Sequence, residues 1–383
     1  MISFDFCLPT RIVFGSGRIA ELGALAVELG AKRVLVTSDA GVVAAGHTAR
    51  GRESLEAAGL AVRLFDGVHE NPTTEHVESG LAVAQEFRPD LIVGFGGGSS
   101  MDCAKGINFL YSCGGRMQDY WGVGKATDDL LPMIAVPTTA GTGSETQSFA
   151  LISDAKTHVK MACGDKRAAF RVALLDPDLT LTQPPRVTAL TGIDALAHAV
   201  ETTVTTKRNA ISLVFSREAW RHLAPSFPRV LADPVDREGR GAMQLGACLA
   251  GLAIENSMLG AAHALANPLT AVYDVPHGLA IALMLPHVIR FNGEQREPGY
   301  KMLVDAVAGE DRLAGSGAPS GVVADYIENV REQAGLAATL REVGVEAERL
   351  PELAASAAEQ WTGKFNPRTV GSRELLQLYE RAY

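Results

Sequence analysis

Asp194 and His198 stand four residues apart in the run Gly192-Ile-Asp-Ala-Leu-Ala-His-Ala-Val-Glu201. On a helix that spacing stacks a carboxylate and an imidazole on one face. Their neighbours Ile193, Ala195, Leu196, Ala197, Ala199 and Val200 are small or apolar. An unpaired carboxylate on such a surface is costly to bury, and a cation offsets that cost. An Asp–His hydrogen bond inside a packed helix is the alternative. His263 in Gly260-Ala-Ala-His-Ala-Leu-Ala266 and His277 in Val275-Pro-His-Gly278 have equally small, apolar surroundings. Each taken singly also reads as a satisfied core histidine. Taken together, nitrogen and carboxylate donors suit Fe(II) or Zn(II) rather than Ca or Mg. Spacing alone leaves open whether the four converge.

A second chemistry-bearing stretch is Gly94-Phe-Gly-Gly-Gly-Ser-Ser-Met-Asp-Cys-Ala-Lys105. Three successive glycines follow an apolar strand pattern and open a helical one. Glycine permits close backbone approach, and a helix N-terminus offers N–H groups to an anion. That is what a pyrophosphate needs. The run is not G-x-G-x-x-G, and a tight turn without ligand is the competing reading. Asp39, just past a strand, suits ribose hydroxyls and would repel a 2′-phosphate, which favours NAD over NADP; a helix N-cap or Asx turn is its simpler role. Pro137-Thr-Thr-Ala-Gly-Thr-Gly-Ser-Glu145 is a hydroxyl-rich loop able to line a cofactor.

These stretches must be positioned by a chain of 383 residues, 47% hydrophobic and 21% charged, with a formal net charge of −9. That composition builds a sizeable core and is not that of a disordered chain. No basic stripe points to nucleic acid, and no apolar run is long enough for a bilayer. The N-terminus lacks the pattern of a signal peptide, and Cys7, Cys103, Cys113, Cys163 and Cys248 are scattered. A cytoplasmic protein with reduced thiols is the expectation. Strands are expected at 11–14, 33–37, 61–65, 90–94, 133–136, 147–153, 158–162 and 171–175, with helices at 18–29, 51–58 and 73–86. This alternation predicts a parallel α/β sheet covered on both faces. Beyond Pro184-Pro185 the pattern turns helical, at 186–204, 209–227, 240–254, 261–272, 278–291, 300–307, 321–334 and 350–359. The domains are therefore placed at 1–182 and 183–383, and residues 309–321 are expected to form a mobile loop.

With both stretches in hand, the chain resembles the iron-containing (group III) alcohol dehydrogenases nearly end to end. Phe14-Gly-Ser-Gly17, the glycine run 96–105, the loop 137–145, Asp176-Pro-Asp178, the Asp194 and His198 stretch, Gly260-Ala-Ala-His263, Val275-Pro-His-Gly278 and Asn366-Pro-Arg368 carry the resemblance, in fixed order. It implies an α/β dinucleotide-binding N-terminal domain and an all-α C-terminal domain of dehydroquinate synthase-like architecture, with the active site in a cleft between them. It implies metal ligation by Asp194, His198, His263 and His277. It places Gly97, Gly98, Ser99 and Asp102 around the pyrophosphate and nicotinamide side of NAD. Thr138, Thr139 and Thr142 would line the cofactor, with Leu179 near adenine, Asp39 on ribose and Lys160 in contact.

One departure is Asn267, where members with alcohol activity often carry a histidine thought to help move the proton. Asparagine is neither acid nor base at neutral pH. The resemblance implies an NAD-linked dehydrogenase using Fe2+, or Zn2+, to interconvert a small primary alcohol and its aldehyde. A homodimer or higher homo-oligomer is expected. The apolar neighbours Ala261, Ala262, Leu265 and Phe149 suit a weakly polar substrate. Two alternatives remain: an NAD- and metal-dependent lyase of dehydroquinate-synthase type, and a reductase of the same superfamily acting on another carbonyl.

Overall fold

The computed structural model describes residues 3–157, 159–309 and 317–383. Two compact units divide the chain. One holds residues 7–139 and 143–183. The other holds residues 184–383 with the stretch Ala140–Thr142 and the N-terminal segment ending at Phe6.

In the first unit, the strands are β1 (Arg11–Phe14), β2 (Arg33–Asp39), β3 (Ala61–Val68), β4 (Leu91–Gly96), β5 (Gly122–Val123), β6 (Met133–Pro137), β7 (Phe149–Ser153), β8 (Lys160–Gly164) and β9 (Val172–Leu175). The helices are α1 (Leu22–Glu28), α2 (Ala40–Ala44), α3 (His47–Ala57), α4 (Thr74–Phe87) and α5 (Gly98–Cys113). Six strands form one parallel sheet in the order β1-β9-β6-β4-β2-β3. Every residue of β4, β6 and β9 is buried, as their unbroken apolar runs require of strands covered on both faces. Alternate side chains of the central strands feed two cores. Leu35 and Ile92 pack with Val77 and Ile107 of α4 and α5, whereas Val34, Val36, Leu91 and Val93 pack with Leu22, Leu25 and Leu55 of α1 and α3. The remaining strands β5, β8 and β7 form a small sheet, with β7 and β8 antiparallel across the turn expected at 154–157.

The second unit is built from α6 (Pro185–Val204), α7 (Ala210–Ala232), α8 (Arg237–Glu255), α9 (Ala261–Tyr273), α10 (His277–Ala306), α11 (Pro319–Gln333), α12 (Leu350–Glu359) and α13 (Ser372–Ala382). From Gly192 to Val204 every residue of α6 is buried, so this helix is enclosed rather than amphipathic. It packs against α7, α8 and α10. No helix among the described residues is long and apolar enough to cross a membrane.

The elements depart from the sequence reading where packing overrides local signals. The helix expected to end at Phe227 runs on through Pro228 to Ala232, because Phe227 and Val230 are locked into the core. The helices expected at 278–291 and 300–307 join in α10 across a kink at Arg296, two residues before Pro298. The short α2 and β5 and the terminal α13 were not anticipated. His158, placed in a strand, and residues 310–316 of the expected mobile loop lie outside the described residues.

Gly278 sets the approach of α10 to α6. A Cβ there would meet the Leu190 carbonyl oxygen at 2.3 Å, and a main-chain atom cannot rotate aside. Gly278→Ala is expected to cost about 1–3 kcal/mol by forcing the helices apart. Thermal denaturation checks this, with a melting point lowered by roughly 2–10 °C.

Candidate functional site

In the helical unit, the buried face of α6 presents Asp194 and His198 one turn apart. His263 comes from the first turn of α9, and His277 is the first residue of α10. The three imidazoles converge on one carboxylate oxygen. Asp194 Oδ1 lies 3.4 Å from His198 Nε2, 3.5 Å from His263 Nε2 and 3.8 Å from His277 Nε2. Ligand atoms of Asp194, His263 and His277 fall within 4.8 Å of one another. The imidazoles of His198 and His263 stack, with centroids 5.0 Å apart.

These distances are too long for good hydrogen bonds. Asp194 Oδ1 and His263 Nε2 are in fact buried with no hydrogen-bond partner. The spacing matches something else. Donors bound at about 2.0–2.2 Å to a tetrahedral cation lie roughly 3.3–3.6 Å apart. One carboxylate and three imidazoles around an unpartnered Asp194 Oδ1 and His263 Nε2 thus fit Fe(II) or Zn(II). Burial alone would raise the Asp194 carboxyl, but the facing His198, His263 and His277 outweigh it and hold it far below the usual carboxylate range. Burial drives His198 down, against the pull of Asp194. For His263 burial also lowers the value, yet Glu201 and Asp194 together raise it to about 9.

Glu201 had no role in the sequence reading. Its Oε2 accepts from His263 Nδ1 at 2.5 Å, and its Oε1 accepts from the Ala262 N–H at 2.8 Å. The signal was its position, seven residues after Asp194 on the same helical face. Asn267 is half-buried on α9 and donates through Nδ2 to Gln360 Oε1 at 2.9 Å.

In the α/β unit, β4 ends at Gly96, whose φ of +148° is a left-handed value that favours glycine. A Cβ there would lie 2.5 Å from Ser100 Oγ and 3.1 Å from Asp39 Oδ2. Gly97 caps α5 and Gly98 is its first residue, so the strand feeds directly into a helix N-terminus whose first N–H groups lack intrahelical acceptors. Ser99 follows, half-buried. Thr138 donates its N–H to the Gly96 carbonyl, and a Cβ on Gly97 would touch Thr139. This cradle sits at the carboxyl end of a parallel sheet, where α/β proteins take their ligands.

Asp39 takes the simpler role considered for it, that of a helix cap. Oδ1 caps α2 by accepting from the Gly41 and Val42 N–H groups, while Oδ2 accepts from Ser100 Oγ at the glycine turn. Asp102 is buried on α5 and accepts from Ser144 Oγ at 2.6 Å. Burial raises its carboxyl above the usual value, against the pull of Lys105, Ser144 and Lys160. Lys105, also overlooked at first, is wholly buried and donates to Ser144 O, Ser144 Oγ and Phe149 O, fastening the hydroxyl-rich loop to α5. Lys160 opens β8, with Nζ 3.5 Å from Asn71 Oδ1. Leu179 is 1% exposed and packed in the core beneath the sheet. Thr142 falls in the helical unit with Gly141, which closely approaches Thr191.

Glu145 ends the hydroxyl-rich loop as a buried carboxyl. Burial pushes it up to about 7, although its own backbone hydrogen bond and the Lys105 charge pull it down. A carboxyl whose folded value is raised binds more protons in the native state than in the unfolded one. Stability is therefore lost as pH rises from the unfolded value of 4.5 through about 7. Glu145→Gln is expected to exceed the parent protein by up to roughly 3 kcal/mol at pH 8 and to match it near pH 4. Melting curves of both proteins at the two pH values check the sign.

The comparisons with known proteins agree in both halves. Residues 9–177 match the family model described as iron-containing alcohol dehydrogenase, and residues 188–383 match that of the Fe-containing alcohol dehydrogenase family, C-terminal. The NAD-dependent methanol dehydrogenase of Bacillus methanolicus is 32% identical, with 99% of each chain covered. The 1,3-propanediol dehydrogenase of Klebsiella pneumoniae is 33% identical, again over 99% of each. A solved structure of 1,3-propanediol oxidoreductase superposes with a TM-score of 0.95 at 32% identity, covering both chains completely. The chain belongs to the iron-containing alcohol dehydrogenase family.

Proposed function

We propose that the protein is a metal-dependent, NAD-linked dehydrogenase that interconverts a small primary alcohol and its aldehyde. The observation that carries this reading is the convergence of three imidazole Nε2 atoms on one buried, unpartnered carboxylate oxygen. Relatives named as methanol and 1,3-propanediol dehydrogenases support the substrate class. Asp194, His198, His263 and His277 would hold the cation. Gly97, Gly98, Ser99 and Asp102, with Thr138, Thr139, Thr142, Lys160, Leu179 and Asp39, would take the nucleotide. Held there, Fe(II) or Zn(II) would supply Lewis acidity toward the alcohol or carbonyl oxygen, and NAD+ would supply the hydride acceptor.

The chain's own residues do the rest by placement. Asp194 supplies negative charge where a cation must rest. Buried Ala197, Ala262 and Leu265 keep the surroundings apolar, which strengthens electrostatic interactions at the centre. The Asn267 amide, committed to Gln360, neither gains nor loses a proton at neutral pH, so the alcohol proton would leave through water or a ribose hydroxyl instead. The Asp39 carboxylate at the end of β2 disfavours a 2′-phosphate, which makes NAD the better substrate than NADP. A cytoplasmic homodimer or larger homo-oligomer completes the proposal, in keeping with free thiols at all five cysteines.

His263→Ala and His277→Ala are each expected to abolish turnover and metal content together. Assays with primary alcohols, diols and aldehydes against NAD(H) and NADP(H), with Fe(II) or Zn(II) added in turn, check this. Net NADH formation with an alcohol also separates a dehydrogenase from a lyase. A histidine variant that stays free of metal at full turnover contradicts the reading.

A further inference from the structure

We propose that Glu201 is the positioning residue of the metal centre, fixing the tautomer of His263 and, with Asn366, capping the helix that carries it. The inference rests on the reading of the Asp194 cluster as a metal site. It starts from a defect in α9. That helix begins after Gly260, which has no side chain to cap it. Its first N–H groups have no intrahelical acceptor and are buried, so they need partners from elsewhere. Glu201 Oε1 accepts from Ala262 N at 2.8 Å, and Asn366 Oδ1 accepts from Ala261 N at 3.3 Å. A Cβ at position 260 would lie 3.0 Å from the first oxygen and 3.1 Å from the second. Glycine at 260 is what lets the two borrowed caps close in.

The second oxygen of Glu201 reaches one residue further, to His263 Nδ1. An ionised carboxylate only accepts. The proton on Nδ1 is therefore the one Glu201 holds, and Nε2 is the nitrogen that would give up its proton to take a cation. One side chain thus holds both the main chain and the ring of a ligand-bearing turn. Asn366 is in turn held by a reciprocal amide pair with Asn292 of α10, at 2.8 and 3.0 Å, and donates to the Arg368 carbonyl. Glu201, Asn292 and Asn366 are all buried. The network joins α6, α9 and α10, the three helices that supply the four ligands, and it gives a role to Asn366-Pro-Arg368.

The discriminating variant is Glu201→Gln. Its amide oxygen keeps the cap on Ala262, but its NH2 then faces Nδ1 and drives the ring proton to Nε2, toward the cation. Zn(II) affinity measured by chelator competition is expected to fall about 10–100-fold, while the melting point of the metal-free protein stays near that of the parent. Unchanged Zn(II) affinity in a folded Glu201→Gln overturns the proposal and leaves the dehydrogenase reading standing. Failure of the parent protein itself to bind Zn(II) or Fe(II) overturns both. Should the variant not fold, nitrogen-15 histidine spectra of the Zn(II)-loaded parent decide. The expected signature for His263 is a proton on Nδ1 and metal on Nε2, and the reverse assignment overturns the proposal.

Discussion

A buried carboxylate dictates the helical half of this protein. Asp194 lies on a helix enclosed on all sides, where an unpaired negative charge costs several kcal/mol. The three imidazoles that face it favour its ionised form but leave Oδ1 without a hydrogen bond. A cation at their common focus would satisfy that oxygen. The arrangement also explains why three helices meet where they do. Gly278 lets α10 press against α6, Gly260 lets α9 be capped by foreign side chains, and the small residues around His263 leave room for three rings.

The α/β unit solves a different problem with the same device, glycine where nothing larger fits. Gly96 at the end of β4 brings the chain past Asp39 and Ser100 into the N-terminus of α5. Behind that turn, Lys105 is sealed in the interior with three oxygen acceptors, and Ser144 links it to Asp102. The buried charge there is structural as much as chemical, because it fastens the loop from Gly143 to Thr146 onto the helix that follows the glycines. Each unit has its own hydrophobic core, so each chemistry is built on its own support.

Much of this was legible in the residues, for identifiable reasons. Asp194 and His198 share a helical face by spacing alone, and the glycine run announces itself after an apolar strand. The parallel sheet follows from strands that are apolar throughout. The meeting of His263 and His277 with that pair was carried by family resemblance, since convergence across three helices is tertiary information that no local pattern holds. Glu201 escaped because a glutamate in a helical run ordinarily faces solvent, and only the turn of α9 against it reveals its use. Asn366 was visible as part of a motif, but its role was not, because its partners lie 74 and 105 residues away. The helix end at Pro228 was misjudged because core packing outweighs the backbone penalty of proline, whereas the break expected between 291 and 300 corresponds to the kink at Arg296. The five-residue α2 was hinted at only by the cap reading of Asp39, since so short a helix carries no apolar period.

The account turns on whether a single cation occupies the focus of Asp194, His198, His263 and His277. Anomalous diffraction at the iron or zinc edge, from crystals of the metal-loaded protein, tests this most directly. The account expects one strong peak bonded to Asp194 Oδ1 and to the Nε2 atoms of the three histidines. A loaded protein whose peak lies elsewhere, or that shows none at this focus, contradicts it.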